Sequence, residues 1–193
     1  MTPVALVYAV LHAIEGPLFG FRAFGRGSVV APFPRKIVGA HRIAIGANCF
    51  IGANATLWVC EEYLGRRYTP VFEVGDRTMI GRDVVVACIE AVRIGASVTV
   101  ADRVFIGDCY HGYEDPEVPV LDQPMSGAAA VTIGDGSFIG VGAAILPGVT
   151  LGRGCVVAAN AVVTRSFEAN TVLLGNPARP IRTFDRERGA WVP

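Results

Sequence analysis

The chain has 193 residues, 52% of them hydrophobic, with 23 glycines and a formal net charge of zero from 17 basic and 17 acidic side chains. That length suits one domain with a continuous core, and the charge balance removes the usual electrostatic reason to expect a nucleic-acid partner. Five cysteines, at 49, 60, 88, 109 and 155, form no C-x-x-C pair. They read as small buried hydrophobes of a reducing, cytoplasmic compartment rather than as disulfides or zinc ligands.

Residues 4–14 are apolar, and Leu18, Phe19, Phe21 and Phe24 extend the run. The segment is too short to span a bilayer and is followed closely by Glu15. It lacks the basic start of a signal peptide. A short amphipathic helix is expected here, with two roles open. It can cap the open end of the domain that follows, or rest on the inner face of a membrane with Arg22 and Arg26 near the headgroups. The boundaries we read are an N-terminal segment at 1–35, a repeat domain at 36–182 and a tail at 183–193.

From Arg42 an aliphatic residue followed by a small one recurs every six positions: Ile45-Gly46, Ile51-Gly52, then Leu57. Residues 58–70 break the phase and predict a first extruded loop. The repeat resumes at Val74-Gly75, Ile80-Gly81 and Val86-Ala87, shifts, and continues through Ile94-Gly95, Val100-Ala101 and Ile106-Gly107. Residues 108–130, with Pro116, Pro119 and Pro124, form a second and larger interruption. The clearest run follows: Ile133, Ile139, Ile145, Leu151, Val157 and Val163. A helix needs apolar spacings of three and four, and a lone strand needs alternation. Period six fits an all-β solenoid in which each hexapeptide is one flat face and a corner, with three hexapeptides per turn. Ser137, Ala143, Val149, Cys155 and Ala161 stand four positions after the aliphatic and fit beside it in the core. A charged tail, predicted to form a helical turn, closes the chain.

Loops on a rigid scaffold are where chemistry usually sits. His111 lies in the second loop beside Asp108, Tyr110 and Tyr113, and imidazole titrates near neutral pH. A loop histidine is nevertheless more often solvated than catalytic.

The hexapeptide pattern resembles that of the hexapeptide-repeat acyltransferases, whose fold is a left-handed parallel β-helix. The handedness is an implication of the resemblance, since ordinary parallel crossovers are right-handed. Within that family, Asp108-Cys109-Tyr110-His111-Gly112-Tyr113-Glu114-Asp115-Pro116 is similar to the Asp-His-x-His-Gly-Tyr-Glu-Asp-Pro loop of sugar and polysaccharide O-acetyltransferases. The resemblance makes His111 the general base, with Cys109 standing where the first His belongs.

It also implies acetyl-CoA as donor, no required metal, and a homotrimer with sites between subunits. Val163-Thr164-Arg165 is similar to the family's Val-Thr-Lys element. Asn176-Pro177-Ala178-Arg179 and Arg182 resemble its closing element. Arg165, Arg179 and Arg182 would then hold CoA phosphates, with Thr164 beside them and Phe138, Val141 and Ala159 along the pantetheine arm. Asp83, Glu90, Asp108 and Tyr110 are implied on the acceptor side, where carboxylates hydrogen-bond sugar hydroxyls. The acceptor implied is a sugar hydroxyl of a polysaccharide, glycolipid or saccharide precursor. N-acylation of an amino sugar or an antibiotic is the alternative. A zinc hydratase would need three converging histidines, and a non-catalytic scaffold would not need His111.

Overall fold

The computed structural model describes residues 19–31 and 36–193. They form a three-sided left-handed parallel β-helix. The first face stacks Ala23–Phe24, Ile43–Ile45, Val71–Val74, Ala91–Ile94, Val131–Ile133 and Thr150–Leu151. The second begins with Val29–Val30 and Phe50–Ile51 and rises through Phe138–Ile139 to Thr171–Leu174. The third stacks Lys36–Val38, Thr56–Val59, Val85–Cys88, Phe105–Gly107, Ala144–Ile145 and Val162–Val163.

The register explains the six-residue period. Ile45 pairs with Val74, Val74 with Ile94, Ile94 with Ile133, and Ile133 with Leu151. All five are buried in one axial core. Each contributes roughly 1.5–3 kcal/mol of gross burial energy. The small residue after each aliphatic has a steric cause. A Cβ at Gly134 would stand 2.5 Å from the Arg153 backbone nitrogen of the next coil. Asn48, Asn54, Asp83 and Asn160 turn corners at φ of 56°, 59°, 56° and 56°, a region that Asn and Asp tolerate better than most residues. Polar side chains at the inward small positions are satisfied between coils. Thr78, fully buried, donates to the Gly95 carbonyl at 2.8 Å and accepts from the Val98 N–H at 3.1 Å. Cys49 and Cys155 occupy equivalent positions, buried and free as expected.

Three boundaries differ from the sequence reading. The coil starts before Lys36, because Ala23–Phe24 and Val29–Val30 already pair in parallel with Ala44–Ile45 and Phe50–Ile51. Phe24-Gly25 is a repeat unit with an aromatic in the aliphatic's place. The first loop starts after Val59, since Trp58 and Val59 belong to the strand Thr56–Val59. The tail is no helical turn: Arg179–Asp185 runs antiparallel to both Thr171–Leu174 and Ala190–Val192, with Phe184 and Trp191 edge to face at 5.5 Å. The expected N-terminal helix, at residues 4–14, lies outside the described residues. Phe19, Phe21 and Phe24 do pack on the core, their rings in contact at 5.7 Å and 5.5 Å. Arg22 pairs with Glu73 at 2.6 Å.

Candidate active site

Three breaks in the repeat fall at one corner, where the third face turns into the first. The chain leaves the coil there after Val59, kinks at Ile89 and Glu90, and leaves again after Gly107. Because successive coils stack, these three departures are neighbours. Cys60, Ile89, Cys109 and Met125 form a second small core there, with Trp58, Tyr63 and Tyr68 packed against it. The two loops are thereby one unit.

Asp108 ties that unit to the coil. Its carboxylate is fully buried and accepts from the Ile89 N–H at 2.9 Å and the Glu90 N–H at 2.9 Å. Its own N–H donates to the Ala87 carbonyl at 3.1 Å, and its carbonyl accepts from the Ala129 N–H at 2.9 Å. Beyond it the second loop folds back on itself. Tyr110 and His111 pair antiparallel with Ser126 and Met125, and the Gly112 N–H donates to the Pro124 carbonyl at 2.9 Å. Gln123, buried, donates to the Asp115 and Val118 carbonyls at 2.8 and 2.7 Å and accepts from the Asp115 N–H at 3.1 Å. The Ser126 hydroxyl holds the Glu114 carboxyl below its usual range.

His111 emerges from this frame exposed, with the Tyr63 ring edge-on at 5.8 Å. Tyr63 meets Trp58 edge to face at 6.4 Å. Below them the outer surface of the third face forms the floor of a cleft of about 530 Å3, bounded also by Phe105, Tyr110 and Lys36. The Phe105 ring sits over Gly107, where a Cβ would come within 2.6 Å of it. The site is an imidazole at the edge of an aromatic trough that an acceptor can enter.

Among the implied acceptor residues, only Tyr110 lines this cleft. Asp108 is corrected to a structural role, since its carboxylate oxygens are spent on buried backbone N–H groups. Asp83 turns the corner between the second and third faces, exposed and away from the trough. Glu90 is exposed on the kink, and its backbone rather than its carboxylate is engaged. Cys109 is buried, and its thiol is pushed up to about 12, first by burial and then by Asp108. A thiol held protonated at neutral pH is no nucleophile. Trp58, Tyr63, Phe105 and Lys36 were absent from the sequence reading. Among the described residues no group of three or more His, Cys, Asp or Glu side chains is placed to hold a metal ion.

The donor-side residues spread over the C-terminal coils. Phe138 stands exposed on the second face. Val141 and Ala159 turn the corner from second to third face, one coil apart. Thr164 and Arg165 turn the corner from third to first face, and the Arg165 guanidinium stacks over the Phe167 ring at 5.0 Å. Arg165 shares a hollow of about 340 Å3 with Pro180. The strand Arg179–Asp185, which carries Arg179 and Arg182, therefore passes beside Arg165. Arg179 donates to its neighbour's carbonyl, that of Ala178, at 3.0 Å.

Fold and site together define an acyltransferase built on hexapeptide repeats, and comparison with known proteins agrees. Residues 42–59 and 130–165 match the hexapeptide repeat of succinyl-transferase. The chain is 33% identical over 177 residues to WbbJ of Escherichia coli strain K12, a protein assigned to lipopolysaccharide biosynthesis as an O-acetyl transferase, covering 88% of this chain and 86% of WbbJ. It belongs to the hexapeptide-repeat acyltransferase family. Two solved structures share the fold. One is a point mutant of AntD, an N-acyltransferase from Bacillus cereus in complex with dTDP and coenzyme A, with a TM-score of 0.75 at 19% identity over 91% of each chain. The other is the acetyltransferase VCA0836 from Vibrio cholerae complexed with acetyl coenzyme A, with a TM-score of 0.60 at 23% identity over 96% of this chain and 80% of that one.

Proposed function

We propose that this protein transfers an acetyl group from acetyl-CoA to a sugar hydroxyl of a polysaccharide, glycolipid or saccharide precursor, with His111 as general base. The observation that carries the proposal is the placement of His111. Among the described residues it is the one histidine that lines the aromatic cleft, and a paired hairpin anchored by Asp108 and Gln123 holds it there. Aromatic rings such as Trp58, Tyr63 and Phe105 suit the apolar faces of a pyranose. The similarity to WbbJ over 88% of this chain favours an oxygen acceptor over an amine.

In this reading the neutral His111 imidazole takes the hydroxyl proton as the oxygen attacks the thioester carbonyl. The tetrahedral intermediate collapses by breaking the carbon–sulfur bond. The imidazolium returns its proton to the departing CoA thiolate. Arg165, Arg179 and Arg182 hold the phosphate end of the donor, and Phe138, Val141 and Ala159 flank its arm.

The proposed assembly is a trimer. Phe50, Met79, Thr99 and Phe138 stack in register on the outside of the second face, and Phe50, Met79 and Phe138 are exposed apolar side chains in that row. A cyclic assembly would cover such a patch with a different face of the next copy. The proposed compartment is the cytoplasm, where five buried free thiols keep their reduced form. Whether the N-terminal segment rests on a membrane or caps the coil is decided by vesicle co-sedimentation of the full chain against a chain truncated before Phe19. Among the described residues no helix is long and apolar enough to cross a membrane.

The test is acetyl-CoA consumption against a panel of sugars, nucleotide sugars and lipid-linked glycans, with the product treated with mild base. A base-labile ester supports the proposal. A base-stable amide replaces it with N-acylation, and no turnover with any carbohydrate removes the sugar.

A further inference from the structure

The cleft that holds His111 also contains a basic side chain. Lys36 is the only lysine in the chain, and it lies on the first strand of the third face, Lys36–Val38. That strand is in register with those above it: Lys36 pairs with Thr56, Thr56 with Val85, and Val85 with Phe105. Three strand spacings of about 4.8 Å place Lys36 and Phe105 ~14 Å apart along the floor. That is longer than one pyranose ring. Apart from the hydroxyls of Thr56, Tyr63 and Tyr110 the lining is mostly aromatic and aliphatic, and among the described residues Lys36 is the only formally charged side chain in it.

The neighbouring carboxylates do not neutralise it. Glu61 is held by Arg42 at 2.8 Å and by His41 at 2.8 Å, and Glu62 lies 3.5 Å from Arg67. Arg42 keeps the Glu61 carboxyl below its usual range, so it stays an anion committed to Arg42. Among the described residues no carboxylate lies within ion-pair distance of Lys36. A cation without a protein counter-ion, at the end of an apolar trough, favours an anionic group on whatever fills the trough.

We propose that Lys36 is a specificity-determining residue that binds an anionic group of the acceptor, in the same cleft as the hydroxyl that His111 deprotonates. The acceptor class is thus an anionic carbohydrate, whose charge is either a ring carboxylate or a phosphate ester at the anomeric end. The inference rests on the acceptor being a sugar, and it adds the acceptor's charge.

Binding tests it without turnover, because Trp58 reports on the cleft. In a Trp191→Phe background Trp58 is the remaining tryptophan. Its fluorescence would be titrated with D-glucose, D-glucuronate and D-glucose 1-phosphate, with Lys36, Lys36→Gln and Lys36→Arg. The expected result is that at least one anion binds about tenfold or more tighter than glucose, in line with a charge-assisted hydrogen bond. Lys36→Gln should erase that preference, and Lys36→Arg should keep most of it. Preference for glucuronate alone assigns the carboxylate, and preference for glucose 1-phosphate alone assigns the phosphate. Equal affinity for glucose, or a preference that survives in Lys36→Gln, overturns the anion site. In that event acetylation of neutral sugars at undiminished rate leaves the sugar O-acetyltransferase reading standing. If none of the three ligands perturbs Trp58 and no sugar is acetylated, both fall.

Discussion

The interior of the coil and the corner where it is interrupted make an instructive pair. Inside, Ile45, Val74, Ile94, Ile133 and Leu151 stack in one row, each packed on a near copy of itself a coil away. At the corner, Cys60, Ile89, Cys109 and Met125 come from separate excursions of the chain and resemble no repeat. Stability in a stacked array is close to a sum of neighbour terms, so the interior can lose one contact and keep its plan. The corner depends on single groups: one buried carboxylate at Asp108, one buried amide at Gln123, one glycine at 107. Regular packing supplies rigidity, and the irregular corner fixes the hairpin that carries His111.

Leu57→Ala should separate the two regions most sharply. Leu57 is fully buried in the coil, and truncation there costs about 2–5 kcal/mol. Chemical denaturation should show that loss, while the protein that remains folded keeps its specific activity. A full loss of activity without loss of stability would mean that the coil and the corner are not separable.

At the corner, Asp108→Ala strips the Ile89 and Glu90 N–H groups of their acceptor and should cost about 1–3 kcal/mol. Its signature is local. Hydrogen exchange should accelerate at those two amides and along Tyr110–His111, and turnover should fall by more than stability predicts. Unchanged exchange at Ile89 and Glu90 would show that something else holds the loop.

Arg165→Ala, Arg179→Ala and Arg182→Ala probe the C-terminal coils. These exposed cations should each weaken acetyl-CoA binding by about tenfold. Their contacts would be equal in ground and transition states, so donor KM should rise and kcat should hold. Wild-type KM in all three would leave them as solvated surface.

The smallest effect is expected at Cys109. Cys109→Ala should retain most activity, and its abolition would favour a covalent acetyl-enzyme. The thiol also has a pH signature. Burial lifts it to about 12, above the ordinary cysteine value of about 8.5. The unfolded chain therefore sheds that proton first as pH rises. The stability tied to the protonated thiol is complete below about 8.5 and is lost as pH climbs towards 12. Cys109→Ala should flatten the alkaline limb of the stability curve, and an identical limb in both proteins would contradict the shift.

Period six made the coil readable, because a parallel register repeats the same inward residue at each turn. It failed at Phe24-Gly25, where an aromatic does the aliphatic's work. It failed again in the tail, where Arg179–Asp185 extends the second face antiparallel rather than repeating. That His111 stands in an extruded loop was readable from the break in the repeat. Lys36, Trp58 and Phe105 were not, because they meet only through the stacking of strands twenty or more residues apart. Asp108 was misread for a related reason: a carboxylate beside a loop histidine looks solvent-facing until the Ile89–Glu90 kink is seen above it.

The central claim is that the corner exists to place His111 as a base. Its most direct test is single-turnover acetyl transfer in wild type and His111→Ala, with acetyl-CoA affinity measured on the same samples. The proposed mechanism predicts a rate lower by about 10²- to 10⁴-fold, an unchanged melting curve and nearly unchanged donor affinity. A His111→Ala protein that transfers acetyl at the wild-type rate would contradict it.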